Sequence, residues 1–190
     1  MGAEESFLNK PLRILLATNG IVLVASALMG PIYALFVEKV GGDLLDASLT
    51  GAAFSLAAGI TTLFAGKYSD KVKENELVVV LGYVIIGIGF LLYALVDSIL
   101  FLLIVQIIIG FGEALYSPSF DALYSKHLHN GKAGVQWGAW EAMNYFMIAL
   151  GAILGGLIIN FFGFTSAFIF MGCLCFISAA YIFCLPRKIL

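Results

Sequence analysis

Five residues of one apolar stretch, Gln106, Gly110, Glu113, Ser117 and Asp121, recur at spacings of 4, 3, 4 and 4. That spacing places them on one face of a helix. Glu113 carries the most chemical weight. A carboxylate inside lipid costs roughly 2.5–3.5 kcal/mol on insertion scales, so it marks a candidate substrate or proton site. Glu141 and Asn144 share a face of a second apolar stretch, with Gly151 further along it. Asn19, Ser26 and Tyr33 form a third stripe at a spacing of 7. Three helices with one polar face each point to a shared watery interior. A polar network that only locks helices together is the alternative.

Other chemistry is not expected. His127 and His129 sit beside Lys126 and Lys132 without cysteine or carboxylate companions, so no metal or cofactor is expected there. There is no phosphate-binding glycine loop and no nucleophile–base–acid set, and the apolar stretches contain no histidine. An enzyme is not expected, and nothing calls for nucleic acid. Cys173, Cys175 and Cys184 lie in the last apolar stretch and are expected to pack as small apolar residues.

The elements that must position these groups are set by composition. Of 190 residues, 62% are hydrophobic and 12% are charged. The mean hydropathy of +1.03 is that of a multi-pass membrane protein rather than a soluble domain. The chain is expected to form one all-α domain over residues 1–190, with six spans at 14–37, 49–65, 77–96, 99–122, 137–162 and 164–185. The runs are continuous rather than alternating, so helices and not a barrel are expected. The first run is 24 residues, too long for a signal-peptide core of roughly 7–15, and reads as a retained span. The second is short and polar-leaning and is expected inside the bundle or near vertical. Nine of the ten Lys and Arg residues fall on one side, Lys39 being the exception. Both termini are therefore expected in the cytoplasm. Trp137, Trp140, Tyr68 and Tyr124 suit the inner interface; Phe161, Phe162 and Phe164 suit the outer one. Pro31 and Pro118 occupy comparable elements of two three-helix units. Small residues write the helix contacts: Gly51, Ser55 and Gly59 in the second span, Gly151, Gly155 and Gly156 in the fifth.

Between the second and third spans lies the charged sequence GKYSDKVKEN, residues 66–75. Its Gly66, Asp70, Lys71 and Lys73 match the loop signature of the major facilitator superfamily, although Lys73 stands where that signature has its second glycine. Gly110 and Gly112 match the family's fourth-span motif, with Gln106 at the position of an arginine tied to proton coupling. Gly138, Gly151, Gly155 and Gly156 match its fifth-span glycine motif, with Met147 and Ala152 departing from it. The whole chain thus resembles one six-helix, N-terminal-type half of such a transporter. The resemblance implies a bundle in the cell membrane whose first and fourth helices line a cavity. The second and fifth helices meet the other half.

It further implies a secondary transporter of a small solute, with protons as a candidate coupling ion. Asn19, Tyr33, Gln106, Glu113, Glu141 and Asn144 would form the substrate or proton pathway. Gly66, Asp70, Lys71, Lys73 and Asp121 would form a cytoplasmic gate, and Gly138, Gly151, Gly155 and Gly156 would pack helices. The missing half would come from a second copy in a parallel homodimer working by alternating access. The other readings are a subunit or fragment pairing with a separate six-helix half, and a non-transporting assembly or regulatory protein.

Overall fold

The computed structural model describes residues 7–190, and all regular structure among them is helical. Helix α1 (Lys10–Ala27) begins where the Asn9 side chain accepts the Leu12 backbone N–H at 2.9 Å. Pro11 sits in the first turn, where a missing N–H costs nothing. A 3-10 turn (Gly30–Ile32) then separates α1 from α2 (Tyr33–Lys39). Pro31 has no N–H to continue the helical ladder, so the 30-residue apolar stretch Lys10–Lys39, expected as a span over 14–37, is helical in two pieces.

Helix α3 (Leu44–Ser69) is longer than expected at both ends. Asp43 accepts the Asp46 N–H and Asp46 accepts the Asp43 N–H, both at 3.0 Å. This reciprocal cap starts the helix ahead of the apolar run. At the other end, Gly66, Lys67 and Tyr68 are helical, so the charged segment is partly helix. Within the single chain this helix is largely uncovered. Only 11% of its most apolar stretch is buried, against 44–50% in the other long helices.

Helices α4 (Asn75–Tyr93) and α5 (Ile99–Lys126) follow, with Pro118 inside α5. The last element, α6 (Ala133–Cys184), has 52 residues. A straight helix of that length would run about 78 Å, well beyond a hydrocarbon core of about 30 Å. It is interrupted at Gly163, whose φ of 79° and ψ of 173° cannot continue a helix. The two arms also meet different neighbours. A Cβ added to Gly151 would stand 2.6 Å from Ala27 Cβ, so the 133–162 arm lies on α1. A Cβ on Gly172 would stand 2.8 Å from a Leu91 methyl, so the 164–184 arm lies on α4. Among the described residues, five helical stretches are long and apolar enough to cross a membrane, with α6 counted as one.

The core forms where small residues bring backbones together. A Cβ on Gly82 of α4 would lie 2.7 Å from the Gly112 carbonyl of α5. Tyr83, Phe120, Tyr124 and Phe168 are fully buried around these contacts. Toward the end carrying Lys39 and Asp97, Phe36, Tyr93 and Phe168 pack with ring centroids 4.9–5.7 Å apart. They tie α2 and α4 to the second arm. Tyr124 is covered by its neighbours, with its ring 4.8 Å from that of Trp137.

Candidate functional site

A cavity of about 300 Å³ lies between the α1–α2 break, α3, α4 and α5. Its polar lining is Ser26, Tyr33, Gln106 and Glu113, and its walls are Phe54, Phe90, Tyr93 and Met29. The structure therefore joins two of the polar stripes. Gln106 and Glu113 point in from α5, seven residues apart on one face. Ser26 and Tyr33 meet them from either side of the Gly30–Ile32 turn. Close approach of α3 to α5 frames the space, since a Cβ on Gly110 would fall 2.5 Å from the Phe54 carbonyl oxygen. Tyr33 is held by its hydroxyl, which donates to Thr50 Oγ1 at 2.7 Å; Thr50 in turn donates to the Asp46 carbonyl at 2.7 Å. No Lys, Arg or His lines the cavity. One carboxylate among aromatic faces, with no competing cation, is a setting for a positively charged or polar solute.

The remaining pathway residues fall elsewhere. Asn19 is buried at 2% exposure, where its Nδ2 donates to the Tyr83 hydroxyl at 3.3 Å. Its Oδ1 has no protein partner. Tyr83 packs edge-on to Tyr116, centroid to centroid 5.0 Å, so Asn19 belongs to a polar knot between α1, α4 and α5. Glu141 is exposed and Asn144 half-buried on the first arm of α6, outside the cavity lining. Phe54, Phe90 and Tyr93 were not anticipated as wall residues.

At the basic end of the bundle, Asp70, Lys71, Lys73 and Asp121 are all exposed. No hydrogen bond joins these four among the described residues. The segment is held by Ser69 instead, whose hydroxyl lies 3.4 Å from both the Asn75 side-chain oxygen and the Pro118 carbonyl. This places the 66–75 segment one helical turn from Asp121. Of the packing glycines, Gly151 and Gly155 are pressed against Val24–Leu28 of α1, whereas Gly138 and Gly156 face open space.

The same end holds a hub that sequence reasoning missed. Gln136 is fully buried. Its Nε2 donates to the Phe7 carbonyl at 3.1 Å and meets His129 Nδ1 at 2.7 Å, while its Oε1 accepts the His129 N–H at 2.9 Å. Its own carbonyl accepts the Tyr124 hydroxyl at 2.6 Å. His127 Nδ1 pairs with the Leu123 carbonyl at 2.8 Å, and Asn9 Nδ2 donates to the His127 carbonyl at 2.8 Å. Gln136 and the His127 backbone carbonyl thus tie the α5–α6 connection to Phe7 and Asn9, the residues preceding α1.

The Major Facilitator Superfamily profile matches residues 15–188. The chain belongs to this family. Among curated relatives, an uncharacterised MFS-type transporter of Methanocaldococcus jannaschii is 23% identical over 172 residues, 90% of this chain and 44% of that protein. The proton-coupled antiporter flippase LtaA of Staphylococcus saprophyticus is 25% identical over 152 residues, 75% of this chain and 37% of that protein. The chain thus spans less than half the length of these two superfamily members. An uncharacterised MFS-type transporter of Bacillus subtilis is 23% identical over 156 residues, 81% of this chain and 93% of that protein. As a superfamily member of this composition, the chain is a multi-pass membrane protein of a transporter family rather than an enzyme family.

Proposed function

We propose that this chain is a half-size secondary transporter of major facilitator type that moves a small cationic or polar solute across the cell membrane. It would do so as a parallel homodimer, by alternating access. In this reading each arm of α6 crosses the membrane once, giving six crossings with both termini in the cytoplasm. The observation that carries the proposal is the aromatic-walled cavity, in which Glu113 and Gln106 face Ser26 and Tyr33. A dimer would present two Glu113 carboxylates, which favours cations over large anions. Protons are the coupling ion to be tested. Asp70, Lys71, Lys73 and Asp121 would act as a gate against the partner.

The open side of the bundle supports pairing. Gly51 and Gly59 of α3, and Gly138 and Gly156 of the first α6 arm, meet nothing within 4 Å. Small residues without a neighbour are what a close helix–helix contact requires. A second reading replaces the second copy with a different six-helix half. It draws on the 44% and 37% coverage of two relatives. Uptake of a panel of organic cations and neutral solutes into proteoliposomes tests the function. The expected result is saturable uptake of at least one solute, lowered about tenfold or more by Glu113→Gln. If the wild type transports none, or if Glu113→Gln transports as well as wild type, the site assignment is wrong.

A further inference from the structure

One face of α1 is left open toward both arms of α6. Lys10, Arg13, Ala17 and Ile21 run down it, opposite Ile177, Ser178 and Tyr181, and enclose a groove of about 480 Å³. Ala17 and Ile21 also wall an adjoining cavity of about 600 Å³, which Met143, Met147 and Leu174 help close and which reaches Val24. The two spaces adjoin along the helix, sharing Ala17 and Ile21, and are taken together as one slot. From Arg13 to Val24 the helix rises about 16 Å, close to the depth of one leaflet of a hydrocarbon core about 30 Å thick. The deeper part is lined only by apolar side chains and a glycine.

Two features distinguish this slot from a bare lipid-facing surface. Positive charge stands at its mouth alone, where Lys10 and Arg13 are exposed one turn apart. The five guanidinium donors let Arg13 keep other partners and still take a phosphate oxygen. Ser178 also lines the groove, is fully buried, and has a hydroxyl without a protein partner. Buried hydroxyls are normally satisfied, so this one leaves room for an acceptor on a ligand.

We propose that this slot binds one anionic glycerophospholipid from the leaflet on the basic side. Its phosphate rests on Lys10 and Arg13, an ester carbonyl accepts from Ser178, and an acyl chain lies along α1 between the two arms. The inference needs only the membrane setting and stands apart from the transport reading.

The test uses the full chain purified in mild detergent, with phosphatidylglycerol or phosphatidylcholine of identical chains added. Thermal midpoint and retained lipid by native mass spectrometry are followed. Phosphatidylglycerol should raise the midpoint more than phosphatidylcholine and be retained one per protomer. The K10Q/R13Q double variant should bind it roughly 30-fold more weakly, from two basic contacts near a headgroup. Ala17→Trp, which keeps both charges but blocks the slot, should lose retention as well. Equal effects of the two lipids, an unchanged preference in K10Q/R13Q, or full retention by Ala17→Trp would each overturn the proposal. So would equal stabilisation by glycerol 3-phosphate, since that needs no acyl slot.

Discussion

The bundle has a closed side and an open side, built from the same residue types. On the closed side, a Cβ on Gly155 would run into the Leu28 backbone, and Gly82 and Gly172 are similarly filled by neighbouring helices. On the open side, Gly51, Gly59, Gly138 and Gly156 meet nothing, amid exposed Leu56, Leu63, Phe64, Phe146 and Ile153. Glycines one residue apart, Gly155 and Gly156, fall on opposite sides of this divide. Identity of residue type therefore says little about role; the helix face decides it. Closed-side glycines hold the chain's own helices together, and in the proposed dimer the open-side glycines would meet the partner.

The strongest way to break this contrast is Gly155→Leu. Overpacking against an unyielding backbone should cost about 3 kcal/mol or more, read as a collapsed thermal midpoint or loss of a monodisperse peak. Next in size is Gln136→Leu, which strands the Phe7 carbonyl and the His129 N–H. It should cost about 2–3 kcal/mol of stability, read by thermal unfolding, while solute binding at the distant cavity persists. Glu113→Gln should leave the fold intact and lower uptake about tenfold or more, the worth of one charge-assisted contact. Tyr33→Phe removes the bond to Thr50 and should cost about 1 kcal/mol, with a modest rise in solute KM. The smallest effect on the protomer is expected from Gly156→Leu. Its stability should change by less than about 0.5 kcal/mol, although the two-protomer fraction by mass photometry should fall. A destabilised Gly156→Leu protomer would erase the distinction between the sides.

Much of this was legible in the residues. Continuous apolar runs placed the long helices, and Gly163, left between the fifth and sixth expected spans, is where α6 breaks. The spacing of Gln106 and Glu113 put both on one face of α5, and both line the cavity. Local periodicity did not reveal the α1–α2 break, because Pro31 acts through a missing N–H rather than through hydropathy. Nor did it reveal that Asn19 is covered by Tyr83, since a seven-residue repeat fixes a face but not which neighbour sits over it at each depth. The exposure of α3 within the single chain was not legible, because polar and small residues look alike whether they face an interior or a surface. Gln136 was missed because a lone amide just ahead of an expected span carries no periodic signal; only the fold, which extends α6 back to Ala133, brings Phe7, Tyr124 and His129 around it.

The central claim, that the open side meets a second copy, is tested most directly by paired cysteines. Gly59→Cys on α3 and Phe146→Cys on the first α6 arm, both exposed, would be combined after replacing the exposed Cys173 and Cys184 with serine. Ser69 is unsuitable as a probe because it is buried and bonded. Treatment of membranes with a short thiol-specific bifunctional reagent should give a two-protomer band that requires both cysteines. A crosslink confined to one protomer, or none in a folded and membrane-inserted variant, would contradict a parallel homodimer closed through α3 and α6.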